Sequence, residues 1–147
     1  MATYSLIDVQ ATFSGPGVSI PIGNGAGLAE EGITIEQVDN VGHMVIGGDG
    51  TPMQVLQATK GARVTLHLLK TSPINAALMA TVQFQRSSGA LWGDNVISLT
   101  QTATGDEFSG SDVAFEKVPR IDFDKAGKMV DWTFLVGVSD WILGAAA

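Results

Sequence analysis

A mainly β fold, arranged as a two-sheet β-sandwich or flattened barrel with one flanking α-helix over about residues 73–86, is predicted by three features of the sequence. Apolar and polar residues alternate at period two in several short runs, the signature of half-buried strands. Glycine-rich turns such as Gly47-Gly48-Asp49-Gly50 punctuate those runs. Only one segment has helical spacing, with Ile74, Ala77, Leu78, Thr81 and Val82 forming a single apolar face. Many short strands around one helix bury their apolar faces best as packed layers.

Along the chain, residues 4–13 form a first strand, with Leu6 beside Ile7 leaving its inward face open. Gly15-Pro16-Gly17 turns into 18–22, where Pro21 suits an edge. Residues 23–27, GNGAG, are a loop that runs on through 28–32. ITIEQV (33–38) alternates cleanly, placing Thr34 and Glu36 on one face and Ile33 and Ile35 on the other. Strands at 43–47 and 53–58 flank the Gly47–Gly50 turn, and a long strand covers 62–70. Ser72 then offers an N-cap hydroxyl, and Pro73 a first helical residue whose missing N–H costs nothing. Beyond the helix, strands are expected at 96–102, 108–117, 121–124 and 129–137, with a hairpin tip at 125–128. No linker or repeat divides the chain, so 1–147 is expected to be a single domain.

Charged residues are 16% of the chain, against about a quarter in an average domain, and the mean hydropathy is +0.24. Gly, Ser, Thr, Gln and Asn replace the missing charge, a composition suited to surfaces that touch other protein. Net charge is −7, unevenly spread. Before Lys60 stand Asp8, Glu30, Glu31, Glu36, Asp39 and Asp49, with no Lys or Arg. Gripping nucleic acid requires clustered bases, which argues against that class. With no cysteine there is no disulfide or thiolate chemistry. No signal peptide is visible, and no segment is long enough to span a membrane.

Catalytic and ligand motifs are weak. GNGAG lacks the helix that a phosphate loop requires, because Gly32 follows within five residues and Glu30 and Glu31 would repel the ligand. Asp122-Phe123-Asp124 opens like a calcium loop, but its twelfth position is Thr133 rather than a bidentate Glu. His43 and His67 are the only histidines and lie in separate strands, without metal-ligand spacing. No nucleophile elbow is present. The expectation is a protein that is no enzyme and needs no cofactor or metal. Exposed strand edges remain, and these become an advantage when subunits join their sheets in a ring.

The segments ATYSLIDVQATFSGPG (2–17), IGNGAGLAEEGITIE (22–36), LLKTSPINAAL (68–78) and VAFEKVPRIDFDKAG (113–127) occur in this order and spacing. Through them the chain resembles, over essentially its whole length, the tail tube proteins of tailed bacteriophages, chiefly those with contractile tails. Such tubes are distantly similar to those of type VI secretion and contractile bacteriocins. The resemblance implies a structural virion protein, assembled in the host bacterial cytoplasm as stacked hexameric rings. Those rings form a hollow tube around the tape-measure protein and inside the sheath, with baseplate and tail-terminator proteins as further partners. DNA would transit the lumen without specific binding, and no membrane would be involved.

On that reading Glu36, Asp39 and Asp49 are expected to face the lumen, where negative charge repels phosphate within about 8 Å at physiological salt. Gly23, Asn24, Gly25, Gly27, Glu30 and Glu31 are expected to belong to an assembly loop. The helix would pack its Ile74–Leu78–Val82 face on the β layers and turn Asn75, Gln83 and Arg86 toward the sheath. The rival reading is a monomeric β-sandwich that binds a ligand such as carbohydrate. Trp92, Trp132 and Trp141 are its candidate aromatics, and Trp132 is expected in the core.

Overall fold

The computed structural model describes residues 4–16, 18–23, 28–125 and 127–144, with backbone alone for 28–31. A short 3-10 turn (Leu6–Asp8) leads into β1 (Val9–Gly15), β2 (Val18–Pro21), β3 (Leu28–Gln37), β4 (Gly42–Ile46), β5 (Pro52–Leu56) and β6 (Ala62–Leu68). Then come α1 (Ile74–Gln85), β7 (Asn95–Gln101), β8 (Asp106–Lys117) and β9 (Val130–Ile142). The fold is mainly β with two sheets and one flanking helix. Seven strands form one antiparallel sheet in the order β2-β1-β7-β8-β9-β6-β3, and among the described residues β4 pairs only with β5.

Side-chain alternation explains the large sheet. Ala62, Val64, Leu66 and Leu68 of β6 point inward, as do Val130, Trp132, Phe134 and Val136 of β9. The sheet is strongly curled. Neighbouring strands lie about 4.8 Å apart, so β1 and β9, three ladders apart, would be out of contact if it were flat. Yet the rings of Phe13 and Phe134 lie 5.2 Å apart, and Phe115 touches Phe13, Phe134 and Trp132. These rings fill the concave side, and α1 covers it with Leu78 and Val82. Among the described residues β2 and β3 do not pair with each other, so the curl stays open as a half-barrel.

The helix forms where the sequence predicts one, a residue shorter at each end, with Pro73 rather than Ser72 at the N-cap position and Arg86 at the C-cap. Ser72 Oγ accepts the Ile74 N–H at 3.3 Å, and Leu78, Thr81 and Val82 are buried. Gln85 is buried as well, and it exchanges two side-chain hydrogen bonds, at 2.7 and 2.8 Å, with fully buried Asn95. Asn95 also donates to the Val113 carbonyl at 3.0 Å, tying α1 to β7 and β8. A Cβ on Gly15 would lie 1.8 Å from Asn95 Oδ1, so only glycine fits beside that pair.

Several expectations are corrected. The first strand begins at Val9 because Ser5 caps the 3-10 turn, its Oγ accepting the Ile7 N–H at 3.2 Å. The expected loop at 28–32 belongs to β3, whose register shifts between Leu28 and Ile33, where Gly32 adopts φ +66. Residues 121–124 are not a strand. Their polar groups are taken locally: the Asp122 carboxylate by Arg120 Nε at 3.2 Å, and Asp124 by the Gly127 N–H at 2.9 Å. β9 runs five residues past its expected end at 137, because β8 supplies partners as far as Glu107↔Ile142. Asn75, expected outward, is half-buried; it donates to the Leu69 carbonyl and accepts from the Trp132 indole, each at 3.0 Å. Gln83 and Arg86 are exposed as expected.

Candidate assembly surfaces

Between β3 and β6, which pair with each other, the chain leaves the sheet as an arm built from β4 and β5. The arm is held at its base by Val38 N–H to Gly61 O (3.1 Å) and Gln57 N–H to Val41 O (2.8 Å). Its tip is a turn closed by Gly47 N–H to Thr51 O at 2.9 Å, with Gly50 at φ +89. Nearly every residue of the two strands is exposed. They are apolar all the same: Met44, Val45, Ile46, Met53 and Leu56 face solvent, with Leu56 82% exposed. A lone two-stranded hairpin is marginally stable in water, and a large exposed apolar surface marks contact with another molecule.

A second surface is the convex face of the large sheet. Arg63 bridges β3 and β8 across it, with Nε 3.1 Å from Glu116 and Nη1 3.6 Å from Glu36. His67 lies 2.8 Å from Asp131 and 3.4 Å from the Thr34 hydroxyl. Thr65, Thr133, Ser98 and Ser109 continue the face, which is rich in hydroxyls. Among the described residues its two borders, β2 and β3, each leave one edge of backbone groups without a strand partner.

A third feature is a cavity of about 350 Å³ at the seam where the curl remains open. Leu6, Val9, Ile33, Ile35 and Leu99 form its apolar wall, joined by Tyr4, Gln101 and Asp106.

The three acids expected at a lumen do not share one face. Glu36 stands on the convex face beside Arg63, Asp39 lies near the arm's base, and Asp49 lies at its tip. Thr34 and Glu36 point out while Ile33 and Ile35 pack on the core, as the alternation requires. The Thr51 backbone N–H, followed by its side chain, donates to Asp49 and holds that carboxyl below its ordinary 3.8. Of the expected assembly loop, Asn24, Gly25 and Gly27 lie outside the described residues. Gly23 follows β2, and Glu30 and Glu31 are in β3. The arm's apolar character was legible in the run Met44-Val45-Ile46, which puts apolar side chains on both faces of a strand and so leaves neither face for water.

The three tryptophans make no common binding platform. Trp132 is core, as expected; Trp141 sits edge-on to Phe108, and Trp92 lies beside Phe115. Among the described residues no group of His, Asp or Glu has the arrangement of a metal site, and no helix is long and apolar enough to cross a membrane.

The model of the bacteriophage PhiTE tail tube protein family matches residues 1–144. The chain belongs to that family. This tail tube family member is therefore a structural component of a phage or phage-like tail particle. No curated protein matches its sequence. Its fold is similar to that of a chain in the sheath/tube terminator of the PVC extracellular contractile injection system in the extended state. That likeness has a TM-score of 0.55 at 15% identity, covering 99% of each chain. A chain of the PVC sheath–tube complex matches at TM-score 0.53 and 10% identity, over 91% of this chain and 88% of that one. The tube-terminating cap of the anti-feeding prophage gives 0.53 and 10%, over 98% and 95%.

Proposed function

We propose that the protein polymerises with itself, as stacked hexameric rings, into the hollow tail tube through which DNA leaves the particle. The observation that carries this reading is the solvent-exposed, two-faced apolar arm of β4 and β5 on a member of a tail tube family. A hairpin of this kind gains a stable environment by docking on a second copy. The two free edges, β2 and β3, support lateral growth, because an edge joined to a different edge propagates head-to-tail and closes when the rotation permits. In this reading Asp39 and Asp49, on the arm, and Glu36, whose charge Arg63 offsets from 3.6 Å, turn toward the lumen and keep DNA from sticking during passage. Around the tube, the sheath, tape-measure, baseplate and tail-terminator proteins are its partners, met in the bacterial cytoplasm during assembly.

The arm supplies the test. Leu56 is 82% exposed, so Leu56→Asp leaves the monomer folded. If the arm docks, that change removes about 1.5–3 kcal/mol per contact, or roughly tenfold to a hundredfold in association. Sedimentation velocity is expected to show polymer for the unsubstituted chain and monomer for the variant at the same concentration. Equal polymerisation by both would remove the arm from the assembly contact.

A further inference from the structure

Residues 118–125 and 127–129, between β8 and β9, form a strap without regular secondary structure. Lys117, Arg120, Lys125 and Lys128 are on or beside it, half of the chain's eight Lys and Arg residues. The strap is pinned to the body: Pro119 is buried, and the Asp122 carbonyl accepts a hydrogen bond from Lys70 Nζ. From this point Phe123 projects with 90% exposure. The Lys70 ammonium lies 3.8 Å from its ring centroid, holding one face of the ring and leaving the rest free. Val118, Ile121 and Met129 of the same strap are exposed as well. Arg120 pairs with Asp122 at 3.2 Å and Lys128 with Asp124 at 3.4 Å, so Lys117 and Lys125 leave the strap net positive around a pre-positioned aromatic knob, the kind of anchor found at the energetic centre of protein interfaces.

The seam cavity has the opposite character. Its wall is apolar, and its volume of about 350 Å³ exceeds the roughly 150 Å³ that accommodates a benzene ring. Every segment that lines it, within residues 4–35 and 87–116, lacks Lys and Arg, while Asp8, Asp106 and Glu107 lie on or next to the lining residues. Knob and cavity also sit at opposite ends of β8. Asp106 begins that 12-residue strand at the cavity and Lys117 ends it at the strap, roughly 35 Å of extended chain away.

We propose that Phe123 of one copy seats in the seam cavity of the next, with the basic strap against the acidic, base-free rim. Because the two surfaces differ and lie at opposite ends of a strand, the contact is heterologous. It extends the assembly along the strand direction instead of closing a dimer. This rests on the self-assembly reading above and names the surfaces that carry the longitudinal contact.

The chain has no cysteine, so site-directed disulfides give a clean test. Phe123→Cys and Tyr4→Cys, both at exposed positions that folding does not depend on, are prepared as separate proteins, mixed under assembling conditions and mildly oxidised. The expected product is a covalent heterodimer that neither protein forms alone. In parallel, Phe123→Ser is expected to raise the concentration needed for polymer growth by at least about tenfold, and Phe123→Leu to recover most of that loss. Polymers without the mixed disulfide, together with wild-type growth of Phe123→Ser, would overturn this contact and leave self-assembly standing. A native chain that stays monomeric would overturn both.

Discussion

Gln85 and Asn95 carry the core's only paired amides among the described residues, and their mutual hydrogen bonds fix where the helix ends on the sheet. Gln85→Leu preserves bulk but leaves Asn95 Oδ1 buried without its donor. The cost is about 1–3 kcal/mol, which lowers the Tm by roughly 3–10 °C in a domain of this size. Thermal unfolding followed by circular dichroism reads that shift, and an unchanged Tm would mean the pair is not a fixing point. Neither residue was legible as core. In the sequence Gln85 is a polar residue at the end of a helix and Asn95 follows a glycine turn, and only the approach of the start of β7 to the helix end makes them partners. Asn75 teaches the same lesson, since its outward position on a helical wheel is overridden by the indole of Trp132. By contrast Val64, Leu66, Phe134 and Trp132 were legible, because strict alternation over a strand has one reading.

At the scale of elements, the arm of β4 and β5 differs from everything around it. Strands of the large sheet bury one face against the aromatic core, whereas among the described residues the arm's strands form ladders only with each other. Its backbone hydrogen bonds are therefore expected to open readily in the unassembled protein. Hydrogen–deuterium exchange should be fast over 42–56 in the monomer and slow in the polymer, with β8 and β9 protected in both. Slow exchange of the arm in the monomer would show that it needs no partner. Both strands and their turn were visible in the sequence from the alternation and the Gly47–Gly50 cluster. What the sequence did not display was their separation from the main sheet, because pairing choice depends on the β3–β6 ladder closing beneath them. The strap was misread for a related reason: IDFD alternates like a strand, but its carboxylates and carbonyl bind neighbouring cations and the Gly127 N–H instead of a ladder.

For the whole molecule, an open curled sheet, two free edges, an apolar arm and an opposed knob and cavity all leave surface that a single chain cannot cover. Low charge and the −7 imbalance belong to the same account: few charges oppose subunit contact, and the acid-rich, base-free first part of the chain offers phosphate nothing to hold. The family was legible from the order of four sequence segments, while the proposed docking surfaces required the fold, since Phe123 and the seam lie far apart along the chain. Self-assembly is the claim on which the rest depends. Negative-stain electron microscopy of the purified, unsubstituted protein tests it directly: the account predicts rings and hollow tubes of uniform diameter, and a field of compact monomers at every concentration would contradict it.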